Sequence, residues 1–186
     1  MIFPAVNIIQ LELSDDLSHF PVMVDLGNIT EIVSDLSNGA NADIIISLIN
    51  IEENRISREL DYYVKKDNAI LKKNPAIHLY FTLLFTSVKP TSAYGMSLQN
   101  LQHVIEFFQK KFVFDHSNTP ALHPNIEKLI LEMVTLNLQQ LHEIWSVLGG
   151  KYYPSVMYRV RMVTIDSETE VSGSLVKEIE TKYFMK

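Results

Sequence analysis

The sequence predicts an α/β (α+β) domain: a mixed, mostly antiparallel sheet flanked by an N-terminal helix, a long central helix and a short helix bearing the single Trp. Three observations predict it. Apolar residues recur at intervals of three and four in three separate segments, as on helices that bury one stripe. Between those segments run stretches with an apolar residue at every second position, as on half-buried strands. Gly, Pro and Asn punctuate the junctions, so helical and strand patterns interleave along the chain.

In the first segment Val6, Ile9, Leu13, Leu17 and Phe20 fall on one helical stripe. Pro4 suits a first turn and Pro21 ends the helix. VMVDLG, with Val22, Val24 and Leu26 alternating, is a short strand closed by Gly27. NITEIVSDLSNGANAD reads as a loop with one helical turn. IIISLINIEEN is apolar on both faces at its start, as in a central strand covered above and below. RELDYYVKKDNAILKKNP is polar connecting structure, with Asp67-Asn68 as a hairpin tip.

AIHLYFTLLFTSV is the longest predicted strand. Ile77, Leu79, Phe81, Leu83 and Phe85 share one face, and Tyr80, Thr82, Leu84 and Thr86 the other. Leu98, Leu101, Ile105, Phe108 and Phe112 mark the clearest amphipathic helix. FDHSNTPALHPN is a loop, since Pro120 and Pro124 block helix. EKLILEMVT is a strand with Leu129, Leu131 and Met133 opposite Lys128 and Glu132. Asn137 then caps a short helix, with Gln140 completing a capping box. Leu138, Leu141, Trp145 and Leu148 share its face, and Gly149 ends it in a left-handed conformation. After Pro154, SVMYRVRMVTID forms a strand with Val156, Tyr158, Val160 and Met162 on one face and Arg159 and Arg161 on the other. Residues 1–166 form a single domain, and 167–186 a charged tail or arm ending in Tyr183-Phe184-Met185.

Bulk properties exclude several function classes. A chain of 186 residues supports one well-buried domain. Its net charge of -6 argues against general nucleic-acid binding, which needs a positive surface. With no Cys there are no disulfides, thiolate metal sites or Cys nucleophiles. The N-terminus lacks the basic start of a signal peptide, and no apolar run approaches the roughly 18 to 20 residues of a membrane span. The chain therefore reads as soluble and cytoplasmic at assembly.

The motifs point away from catalysis. His103, His116 and His123 match no metal-ligand spacing, and His142-Glu143 fails as HExxH because Ser146 stands at the second His position. Glu52 and Glu53 are neighbours on a strand and point to opposite faces, so they share neither proton nor metal. Asp15-Asp16 lies on the polar side of the first helix. No GxGxxG, GxxxxGK[ST] or GxSxG occurs, and Gly149-Gly150 ends a helix where phosphate binding requires the start of one. We assign no catalytic residue, no cofactor and no metal, and read the chain as a non-enzyme. Trp145 reads as core. Arg159 and Arg161, two residues apart on one strand face, make a basic strip suited to a carboxylate-bearing partner.

VTLNLQQLHEIWSVLGGKYYPSVMYRVRMVTID carries a leucine-rich short helix, Trp, Leu-Gly, an aromatic pair, Pro-Ser, Tyr and a strand ending in Ile-Asp. It resembles the N-terminal domain of the tail-terminator, or cap, proteins of contractile injection systems, phage-tail-like particles of the virulence-cassette and antifeeding-prophage type. ADIIISLINIEENRISREL, NPAIHLYFTLLFTSVKP and LQNLQHVIEFFQKKF extend the resemblance upstream, so that it spans residues 41–166. It implies a structural cap closing the distal end of the inner tube and contractile sheath. Its implied partners are further copies of itself in a ring, a hexamer, together with the tube and sheath proteins, in a particle that is released or cell-anchored. The family's larger members carry an appended module, and only a short tail follows Asp166 here. The interface residues expected on this reading are Arg159, Arg161, Asp115 and His116 of the 115–124 loop, and Tyr183 and Phe184 of the tail. The alternatives are another tube or sheath connector of the same particle, a monomeric adaptor that binds a peptide at a sheet edge, and a small metal enzyme using His103, His116 and His123.

Overall fold

The computed structural model describes residues 1–34, 42–54, 63–66, 69–72, 78–164 and 172–173. Helix α1 spans Ile2–Asp16 and runs into a 3-10 turn at Leu17–His19. Strand β1 (Val24–Leu26), helix α2 (Ile29–Ser34) and strand β2 (Ile44–Glu53) follow. Next come β3 (Tyr63–Lys66), β4 (Ala69–Lys72), β5 (Leu79–Ser87) and α3 (Tyr94–Lys110). The chain continues through β6 (Val113–Asp115), β7 (Ile126–Val134), α4 (Leu138–Val147), β8 (Ser155–Thr164) and β9 (Ser172–Gly173).

A six-stranded sheet in the order β1-β2-β5-β8-β7-β6 organises these elements, and a three-stranded sheet β3-β4-β9 stands apart from it in pairing. The large sheet is antiparallel except for β1 on β2, where α2 lies on the crossover that a parallel pair requires. The expected mixed, mostly antiparallel sheet is therefore present. The β3–β4 hairpin pairs Lys66 with Ala69, as the sequence expects, while Asp67 and Asn68 lie outside the described residues. So does Ile77.

Alternation divides the sheet into two faces. Ile44, Ile46, Phe81, Leu83, Phe85, Leu129, Leu131, Tyr158, Val160 and Met162 meet α1 and α3 in the main core. The intervening residues Ile45, Leu84 and Met157 meet α4 through Trp145, forming a smaller core on the opposite face. The beginning of β2 is thus covered on both sides, as its two-sided apolar composition predicts. Trp145 is core, at 4% exposure.

The caps also follow the sequence. Asn137 Oδ1 accepts from the Gln140 amide at 2.8 Å, and Gln140 Oε1 accepts from the Asn137 amide at 3.0 Å. Gly149 and Gly150 both take positive φ, at 102° and 74°, and the Gly150 amide donates to Trp145 O at 2.7 Å.

Four side chains depart from their expected positions. Leu98 and Phe112 are exposed, and the buried stripe of α3 runs instead through Ser97, Asn100, Leu101, Val104, Phe107 and Phe108. A polar anchor sets this rotation: Asn100 Nδ2 donates to Ser87 Oγ at 3.2 Å, turning Leu98 outward. Phe20 stacks on His103 at a centroid distance of 4.2 Å and stays exposed. Leu138 opens α4 at 86% exposure, so the inner face of that helix is Leu141, Ile144, Trp145 and Leu148. Two strand readings also change. β2 and β8, at ten residues, exceed β5 at nine, and Phe114 and Asp115, read as the start of a loop, belong to β6 and pair on β7.

Candidate docking surface

Among the described residues the α4 face of the sheet is only partly covered, and Arg159 and Arg161 stand in the part that no described element covers. Register places Thr82 and Glu132 on either side of Arg159, and Tyr80 and Ile130 on either side of Arg161. Residues opposite one another across a ladder point the same way, so these six side chains share one face. Arg159 is engaged within the chain: its Nη2 lies 2.8 Å from Glu52 Oε2, and its guanidinium lies 4.1 Å from the centroid of the Tyr80 ring. The Tyr80 hydroxyl in turn accepts from Asn54 Nδ2 at 3.3 Å. Arg161 is exposed, and among the described residues its guanidinium has no hydrogen-bond or ion-pair partner. The two arginines expected to act as a pair therefore differ. One is a strut across β2, β5 and β8, and the other is an exposed cation without a partner among the described residues.

Asp115 and His116 sit two strands away, where β6 leaves the sheet. Asp115 pairs with Lys128, which pairs with Val163, so Asp115 shares the face of Arg161. Its carboxylate is taken up locally. Oδ1 accepts from the Ser117 hydroxyl, from the Ser117 amide at 2.8 Å and from the Asn118 amide at 3.1 Å. The hydroxyl bond, the largest cause, and the amide bonds behind it hold Asp115 below the ordinary carboxylate pKa. This arrangement builds the turn that ends β6, and His116 is exposed at that turn. Tyr183 and Phe184 lie outside the described residues.

The histidines are dispersed. His103 stacks on Phe20 and lies 3.8 Å from Glu106, and His123 Nδ1 accepts from the Asn125 amide at 3.2 Å. Among the described residues no group of three or more His, Cys, Asp or Glu side chains is placed to hold a metal ion, and no helix is long and apolar enough to cross a membrane.

Composition and spacing did not reveal the apolar surface beside α4. Val147 is 83% and Leu48 43% exposed, and both line a groove of about 320 Å³ with Ile49, Ile144 and Leu148, rimmed by Glu143. On the other side of the helix Leu138, Leu141, Trp145 and Tyr152 line a second hollow of about 210 Å³ with His142. Exposed apolar area grouped in this way marks interaction surfaces more often than isolated exposed side chains do. The available signal was the excess of apolar residues around α4: Val147 lies off the stripe of Leu138, Leu141, Trp145 and Leu148.

Fold and surface together define a mixed-sheet α+β domain with α1 and α3 on one sheet face and, among the described residues, α4 over part of the other. The chain belongs to the Pvc16 N-terminal domain family, whose sequence profile matches residues 5–178. Two solved structures share the fold. One is the sheath/tube terminator, in its extended state, of PVC, an extracellular contractile injection system. It is 14% identical, with a TM-score of 0.64, over 100% of this chain and 64% of its own. The other is the tube-terminating cap of the anti-feeding prophage, 18% identical with a TM-score of 0.63, over 96% of this chain and 60% of its own. The chain thus spans less than two thirds of the length of either protein. Among curated proteins none matches.

Proposed function

We propose that this chain is a non-enzymatic structural cap, which ends polymerisation of the inner tube and contractile sheath of a phage-tail-like injection particle. The observation that carries the reading is the family match across residues 5–178, and the fold it shares with two proteins described as terminators supports it. The surface chemistry suits the role. A terminator presents one face that joins the last layer of a filament and another that cannot continue it. Arg161 and the apolar rim of α4 offer charge and shape for such a joint. Copies of the chain close as a ring, a hexamer, through a head-to-tail contact. Assembly takes place in the cytoplasm, before the particle is released or anchored. Deleting the gene from the producing cell should yield particles with a broad spread of lengths or collapsed sheaths when imaged by electron microscopy. An unchanged length distribution with intact sheaths would rule the reading out.

A further inference from the structure

Among the described residues, β2 is one of the strands of the large sheet with an unpaired stretch of edge. β1 pairs only with Ile44–Ile46 of β2, so among the described residues no strand lies against the outer side of Ser47–Glu52. Ser47 marks the break. Its hydroxyl accepts from the Ile29 amide at 3.3 Å and donates to Gly27 O at 2.6 Å, turning the β1–α2 connection away. An exposed run of backbone donors and acceptors is a template for another strand; here the register shifts between Leu48 and Asn50, and the Ile51 amide donates to Asn50 Oδ1 at 2.9 Å, a local bond that an incoming strand displaces. This one has apolar Leu48 and Ile51, each more than 40% exposed, and the α4 groove alongside.

The charge at this edge is negative. Glu52 and Glu53 stand at its far end and Glu143 on the groove rim, with Arg159 matching Glu52. A fitting occupant is an extended segment with apolar residues followed by cations. This chain contains one: β3, Tyr-Val-Lys-Lys from Tyr63 to Lys66, an outer strand of the small sheet. Lys72 pairs with Tyr63 on the neighbouring strand and adds to the basic character.

We propose that the open edge of β2 takes strand β3 of a second copy of this chain. The charges set a parallel sense, with Tyr63-Val64 beside the groove and Lys65-Lys66 toward Glu52, Glu53 and Glu143. Edge pairing supplies the main-chain bonds, and the groove and carboxylates supply selectivity. Because donor and acceptor edges differ, the contact is head to tail and extends around a ring. The proposal rests on the ring-cap reading and names the joint that closes it.

The absence of cysteine makes the test clean. Single variants Ile51→Cys and Val64→Cys are mixed and treated with a short bismaleimide, as purified protein and in particles assembled from them. Light scattering of untreated protein runs in parallel. The expected result is a cross-linked dimer from the mixture and none from either variant alone. An exposed control on α3, Gln109→Cys, gives none with either partner. Rings by light scattering without the mixed product would overturn this joint and leave the ring standing. A product from Ile51→Cys alone, or one joining Ile51→Cys to a tube or sheath subunit, would place a different occupant on the edge and overturn it too. Monomers at every concentration, with no product in particles, would end both proposals.

Discussion

Replacing Phe85 with Ala is expected to destabilise the fold more than most single changes. Phe85 is fully buried and meets Phe108 edge-on at 5.1 Å and Tyr158 at 5.6 Å, which ties β5 to α3 and β8. Truncating a buried Phe costs about 3–5 kcal/mol through lost transfer energy and the cavity left behind. With a urea slope of about 2 kcal/mol per molar, a loss of about 4 kcal/mol lowers the midpoint by about 2 M. Phe85→Leu retains most of the volume and should cost less than half as much. Trp145 gives the assay its second probe, because it is the single Trp and lies on the opposite face of the sheet. Fluorescence and circular dichroism should lose their signals together and shift equally in the variant. A loss under about 1 kcal/mol would refute the claim that Phe85 anchors the core. Non-coincident transitions would refute the claim that the two cores form one cooperative unit.

Thr86 is buried at 0% exposure with no partner for its hydroxyl among the described residues, so Thr86→Val should raise stability by about 1 kcal/mol, read as a higher urea midpoint. Asn137→Ala removes the side-chain acceptor of the capping box and should cost about 1 kcal/mol, with hydrogen exchange rising first in α4. Burial pushes the Tyr158 phenol up to about 12 from its ordinary 10.0. The unfolded chain loses that proton first, so this contribution to stability is complete below pH 10 and declines as pH rises toward 12. Tyr158→Phe should flatten that decline. Arg161→Glu should leave the unfolding free energy within about 0.5 kcal/mol of the parent while weakening incorporation into particles, since its guanidinium has no partner among the described residues.

The sequence displayed local periodicity well and long-range register poorly. Alternation located β5 and β8 and sorted their faces correctly, because the side-chain period of a strand is two wherever one face is buried. The cap at Asn137 and the left-handed stop at Gly149 were legible because their chemistry lies within a few residues. The rotation of α3 was not, because it depends on a hydrogen bond from Asn100 to Ser87 in another element. The docking surface divides in the same way. Spacing put Arg159 and Arg161 on one face, but only tertiary pairing reveals that Glu52, 107 residues away, already holds one of them. The turn that engages Asp115 could have been read from Asp115-His116-Ser117-Asn118, a composition suited to a side-chain-capped turn. The edge of β2 that no described strand covers has no local signature, because it depends on where β1 stops.

On the proposed function, this domain sits at the end of a filament. Cryo-electron microscopy of isolated particles carrying a tag on this subunit tests it most directly. The account predicts a closed ring of tagged subunits at the end away from the baseplate, one ring per particle. Tag distributed along the shaft, or missing from intact particles, would contradict it.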